Sequence, residues 1–102
     1  MTREQEILGW ITTGIRRFGA ELHGYKIVLF GSRAHGHPKS RSDFDIGIIG
    51  KHPVTLSTFF KIDSFLNELP TLYKIDWVDL NRADEAVRNN ALKDVKVLYE
   101  QT

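Results

Sequence analysis

The sequence predicts an α/β fold in which a mixed β-sheet is packed by helices, and three observations predict it. An apolar stripe at helical spacing opens the chain, two strand-like runs follow within residues 25–49, and a second helical stripe separates them from a third strand-like run. The resulting order, α-β-β-α-β-α, places helices between and around strands, the pattern of a sheet covered by helices. At 102 residues the chain is expected to form a single domain over 1–102. Its hydrophobic content of 41% is enough for a core, so wholesale disorder is excluded.

The first helix is expected over residues 3–18, where Ile7, Ile11, Ile15 and Phe18 recur at spacings of four, four and three. Thr2 and Gln5 fit a capping box, in which each side chain satisfies the other's unpaired amide. Gly19 and Gly24 let the chain turn out of the helix. Tyr25 to Phe30 is a β-branched and aromatic run that stops at Gly31, so a buried strand is expected. Ser32 to Ser42 reads as a loop that can open with one helical turn over Ser32–His35. Asp43 to Ile49 alternates with period two: Asp43, Asp45 and Gly47 face one side, Phe44, Ile46 and Ile48 the other.

A second helix is expected from Thr55 to Leu69, burying Leu56, Phe59, Ile62, Phe65 or Leu66, and Leu69, and ending at Pro70. Tyr73 to Leu80 reads as the third strand. Asn81 is expected to cap a short helix near Asp84–Ala91, and Val95 to Tyr99 reads as a short strand or a helical turn. Trp10, Trp77 and the Phe59-Phe60 pair are most simply core.

Composition removes several function classes. With no cysteine, a disulfide scaffold and Cys-based zinc or nucleophile chemistry are excluded. That absence suits a reducing cytoplasm, the expected location. The charged start MTREQEILGW does not read as a signal peptide, and no apolar run approaches the ~20 residues of a membrane span. The net charge of +1 gives no basis for nucleic-acid binding, so nucleic acid is not the expected direct substrate.

Chemistry concentrates in Gly31-Ser32, ten intervening residues, then Asp43-Phe44-Asp45. A Gly-Ser turn after a buried strand can present amides and a hydroxyl to an anion, because glycine has no Cβ to block approach. A helical turn opening at Ser32 would add its dipole in favour of phosphate. Two carboxylates two positions apart on a strand project from one face, roughly 6–7 Å apart at Cα. Such oxygen sites suit Mg²⁺, and two ions about 3.5–4 Å apart can clamp the attacking and leaving oxygens of a phosphate displacement. A third acid comes from Ile75-Asp76-Trp77-Val78-Asp79. Ile75 and Trp77 belong to the helix-packed side, so Lys74 and Asp76 share the other side and Asp76 can meet Asp43 and Asp45, whereas Asp79 sits at the strand exit. Average residue usage supplies the string by chance about once in a thousand chains of this length. Taken singly, a Gly-Ser turn or an Asp-x-Asp is more often a plain turn or a solvated face.

These residues resemble a family. Gly31-Ser32-Arg33-Ala34-His35-Gly36, Ser42-Asp43-Phe44-Asp45-Ile46 and Ile75-Asp76-Trp77-Val78-Asp79-Leu80 look like a minimal nucleotidyltransferase (MNT) of the DNA polymerase β superfamily, similar to the MNT antitoxin partners of HEPN toxins. The resemblance implies a polymerase-β-like palm core that binds a nucleoside triphosphate, ATP by expectation, with two Mg²⁺. It assigns the triphosphate to Gly31 and Ser32 and the metals to Asp43, Asp45 and Asp76. In relatives the place of His35 is often Arg, and Gly47 stands where an aliphatic residue is frequent, which leaves the metal face unusually open.

Arg33, His35, His37, Lys39 and Arg41 form a basic loop beside the expected phosphate site, with Arg33 the residue assigned to the nucleotide. The bland alternative is a solvated loop. A zinc site at His35 and His37 lacks a third nearby ligand. The reaction implied is nucleotidyl transfer, with Asp76 receiving the acceptor proton. The expected acceptor is a hydroxyl on a small helical HEPN-type partner, the chain acting as an antitoxin. The alternatives are a catalytic subunit for a small-molecule acceptor held by a separate helical substrate-binding chain, and an antitoxin that binds its toxin without catalysis.

Overall fold

The order of strands in one four-stranded sheet decides where acidic side chains can surface. The computed structural model describes residues 1–34, 36 and 42–101. Helix α1 (Arg3–Ile15) starts at Thr2, whose hydroxyl accepts from the Gln5 amide at 3.1 Å while Gln5 Oε1 accepts from the Thr2 amide at 2.9 Å. This is the expected capping box. The helix ends earlier than its stripe suggests, and Arg16–Glu21 tightens into a 3₁₀ turn. At three residues per turn, Phe18 stays below Ile15 and packs on the core despite the change of winding.

Strands β1 (Tyr25–Phe30), β2 (Phe44–Gly50), β3 (Ile75–Asp79) and β4 (Lys96–Gln101) lie in the order β3-β2-β1-β4. β1 runs antiparallel to β2 and β4, and β2 runs parallel to β3. A parallel pair needs a crossover, which helix α2 (Leu56–Asn67) supplies. Helix α3 (Glu85–Leu92) precedes β4.

One face of the sheet meets α1 and α2. Ile7, Ile11 and Ile15 pack with Ile27, Leu29, Phe44, Ile46, Ile48, Ile62 and Leu66 in a core of fully or almost fully buried side chains. Trp77 stacks on Phe59 at 5.3 Å and donates its indole N–H to the Phe59 carbonyl at 2.9 Å, so its polar atom is satisfied in place. The opposite face carries a smaller cluster of Val28, Leu80 and Ala91, with Phe30, Ile49, Val78 and Val95 against it. Burial of each full-sized aliphatic side chain contributes about 1.5–3 kcal/mol, so the larger cluster holds the architecture.

Three local readings need correction, those of Leu56, Phe60 and Asn81. Leu56 and Phe60 are more than half exposed, while Thr58 takes the buried place at the head of the Thr58-Ile62-Leu66 stripe. Its hydroxyl donates to Glu21 Oε2 at 3.2 Å, which is why a polar residue is tolerated there. Asn81 caps no helix; α3 follows Asp84, and the Asn81 side chain instead brackets Gly50, its Oδ1 accepting from the Gly50 N–H at 2.9 Å and its Nδ2 donating to the Gly50 carbonyl at 2.8 Å. Of the 95–99 segment, expected as a strand or a helical turn, residues 96–99 form the strand and open edge strand β4. Its register with β1 slips between Ile27 and Val28, skipping Leu98, and that break in period two is what blurred the strand signal.

Candidate active site

Asp45 and Asp76 are register partners across the parallel β2–β3 pair, and Asp43 immediately precedes β2 with the same parity as Asp45. The apolar partners of these strands, Phe44 with Ile75 and Ile46 with Trp77, fill the helix-packed face, so the acids emerge on the opposite one. Crowding has an electrostatic consequence. Partial burial first, then the charges of Asp76 and Asp43, push the Asp45 carboxyl above its usual range, against the smaller opposing pull of Lys74. Lys74 Nζ lies 3.3 Å from Asp76 Oδ1, so an exposed lysine is the counter-ion on this face.

Gly31 follows β1 at φ +74°, in the left-handed region that L side chains rarely adopt. Phe30 pairs with Asp45, so the turn lies directly beside that acid. A Cβ on Gly31 would overlap Asp45 Oδ2 and stand 3.1 Å from its Cγ. The glycine therefore leaves room for the Asp45 carboxylate itself. Ser32 is exposed next to it.

Asp79 has a different setting. It pairs with Ile48 at the end of β3, on the helix-packed side, and is buried. Its Oδ1 accepts from the Asn81 amide at 3.0 Å and its Oδ2 lies 3.3 Å from Arg82 Nε.

Two expectations about side chains change with the structure in hand. Arg33, expected at the nucleotide, is buried on the helix side. Its Nε and one terminal nitrogen donate to the Ser42 carbonyl at 3.1 and 2.7 Å, and the other donates to Glu4 Oε1 at 3.1 Å. The guanidinium lies over the rings of Phe44 and Tyr73, 4.1 and 5.2 Å from their centroids. These bonds engage three of the guanidinium's five N–H groups on the helix-packed side of the sheet. Gly47 does not open the acid face either: a Cβ there would meet Leu80 Cδ1 at 2.7 Å and Phe30 Cε1 at 3.2 Å, because Leu80 already covers it. Glu4 was invisible to the sequence reading, since nothing local links positions 4 and 33. His35, His37, Lys39 and Arg41 lie outside the described residues.

A cleft of about 460 Å³ lined by Asp43, Leu72, Tyr73 and Lys74 opens beside the acids. The larger groove, about 540 Å³ between α1 and α2, includes Trp10 and Phe65 and lies on the helical side. Among the described residues no three His, Asp or Glu side chains are gathered closely enough to form a ready metal-ligand set. The donor chemistry nonetheless fits a hard cation: the groups are all carboxylate oxygens, and their mutual repulsion at Asp45 is what a cation between them relieves. No helix among the described residues is long and apolar enough to cross a membrane.

Comparison with known proteins agrees with this architecture. Protein adenylyltransferase MntA of Aphanizomenon flos-aquae is 33% identical over 87 residues, which cover 74% of this chain and 56% of that protein. The chain thus spans little more than half the length of this curated relative. Among solved structures, a toxin–antitoxin with AMP-PNP superposes with a TM-score of 0.63 at 20% identity, over 89% of this chain and 73% of that one. A complex of tri-AMPylated Shewanella oneidensis HEPN toxin with MNT antitoxin gives 0.60 at 18% identity, over 92% and 73%. At such identities the likeness establishes the fold. The family pattern described as Polymerase beta, Nucleotidyltransferase matches residues 23–102, from just before β1 through β4, and the chain belongs to that nucleotidyltransferase family.

Proposed function

We propose that this chain is a Mg²⁺-dependent nucleotidyltransferase that moves AMP from ATP to an acceptor hydroxyl on a HEPN-type partner protein, as a cytoplasmic antitoxin. The observation that carries the reading is the pairing of Asp45 with Asp76 across parallel strands, with Gly31 cleared against the same carboxylate. Support for the donor and partner comes from the relatives, one named as a protein adenylyltransferase and others solved as toxin–antitoxin assemblies.

In this reading Asp43, Asp45 and Asp76 would hold two Mg²⁺ ions, whose charge would neutralise the triphosphate and acidify the acceptor hydroxyl. The turn at Gly31 and the exposed Ser32 face the triphosphate with a backbone amide and a hydroxyl. Asp76 receives the acceptor's proton as that oxygen attacks the α-phosphorus and pyrophosphate leaves. Lys74, already beside Asp76, exchanges its carboxylate partner for substrate charge. The cleft at Asp43, Leu72 and Tyr73 gives the acceptor side chain room to approach. Catalysis then rests mainly on positioning and electrostatics. Incubating the chain and its partner with α-labelled ATP and Mg²⁺ tests this: label should appear on the partner protein and vanish in EDTA. Label on a small molecule would favour the subunit alternative, and no transfer beside tight partner binding would favour the non-catalytic antitoxin.

A further inference from the structure

Asp43 stands just outside β2, so ladder pairing alone does not fix it. Its two neighbours are held from opposite directions. The Ser42 carbonyl receives two donors from Arg33, at 2.7 and 3.1 Å, and the Phe44 amide donates to the Lys74 carbonyl at 3.0 Å. The same guanidinium lies flat over the Phe44 ring, 4.1 Å from its centroid, and that ring meets Tyr73 edge-on at 5.7 Å. One cation therefore grips the backbone before Asp43 and the side chain after it.

We infer that Arg33 is a positioning residue for Asp43: a buried clamp that sets this acid against Asp45 and Asp76 without touching substrate. The inference rests on the reading of Asp43 as part of the metal and nucleotide site.

Arg33 is 6% exposed, and a buried guanidinium is costly unless its donors and charge are met. Here Glu4, on the first turn of α1, supplies the opposing charge at 3.1 Å, while Ser42 takes the fork and the two rings take the flat face. This set of partners ties the start of the chain to the start of β2. A lysine could reach Glu4 or Ser42, but it offers no rigid fork and no plane to lie on Phe44. The clamp thus depends on the guanidinium shape, which a merely charge-balancing residue would not need.

The test is amide hydrogen exchange in the nucleotide-free chain, combined with Mg²⁺·ATP calorimetry well below each variant's melting temperature. Arg33→Lys should speed exchange at the Phe44 amide about tenfold or more while leaving Gly47 and Val78 unchanged. Glu4→Gln, which keeps the fork, should move the same amide in the same direction by less, and it serves if Arg33→Lys folds poorly. Arg33→Lys should weaken Mg²⁺·ATP binding about tenfold in the native background and add nothing in an Asp43→Asn background. Unchanged exchange at Phe44, or equal losses of affinity in both backgrounds, would overturn the clamp. A native chain that binds no Mg²⁺·ATP would sink the site reading instead, and the exchange result would still decide whether Arg33 places Asp43.

Discussion

Asp45 and Asp76 face each other across the β2–β3 pair at about the 4.8 Å strand spacing, and Lys74 is the cation that partners Asp76 there. Two carboxylates held that closely store repulsion that the fold must tolerate when no cation lies between them. Asp45→Asn should therefore raise the melting temperature in metal-free buffer while weakening Mg²⁺·ATP binding about tenfold or more. The pH dependence has a fixed sign. Since the folded-state pKa of Asp45 is raised, its ionisation is destabilising above that pKa, and the penalty fades as pH falls, disappearing below the ordinary value of about 3.8. Melting curves from pH 7 to pH 4 should show the gap between variant and native chain closing.

Gly31→Ala should cost stability and disturb Asp45 together. The left-handed backbone alone costs about 1–2 kcal/mol for an L side chain, and the overlap with Asp45 Oδ2 adds to it. In an Asp45→Ala background the overlap is gone, so denaturant titration should find only the backbone part. An equal penalty in both backgrounds would show that the carboxylate is free to move aside.

Gly47→Ala should destabilise by about 1–3 kcal/mol through overpacking against Leu80. Pairing it with Leu80→Val should recover part of the loss, whereas a solvent-facing position would show neither effect. Urea unfolding of the two single variants and the double variant measures the coupling.

The parity of Asp43, Asp45 and Asp76 was legible because strand alternation is local, and so were the capping box and the three strands with apolar backs. The role of Arg33 was not legible. A basic residue after Gly-Ser reads as a phosphate ligand until Glu4, Ser42, Phe44 and Tyr73 are seen around it, and those partners are scattered over seventy positions of sequence. Gly47 misled for the same reason. An absent side chain looks like open space in a sequence, and only the packing of Leu80 from beyond β3 shows that the space is filled. The β4 strand was half legible, because the slip at Leu98 breaks the alternation that signals a strand.

The central claim is tested most directly by comparing Asp76→Asn with Asp79→Asn in nucleotidyl transfer at one Mg²⁺ concentration, with melting temperatures recorded beside the rates. Asp76 lies on the acid face beside Asp45, so its variant should lose transfer by about 10²–10⁴ while melting near the native temperature. Asp79 is buried on the other face against Asn81 and Arg82, so its variant should lose about 1–3 kcal/mol of stability yet keep most of the rate. An active Asp76→Asn beside a folded but inactive Asp79→Asn would contradict the account, because chemistry would then depend on the acid that the sheet turns away from Asp43 and Asp45.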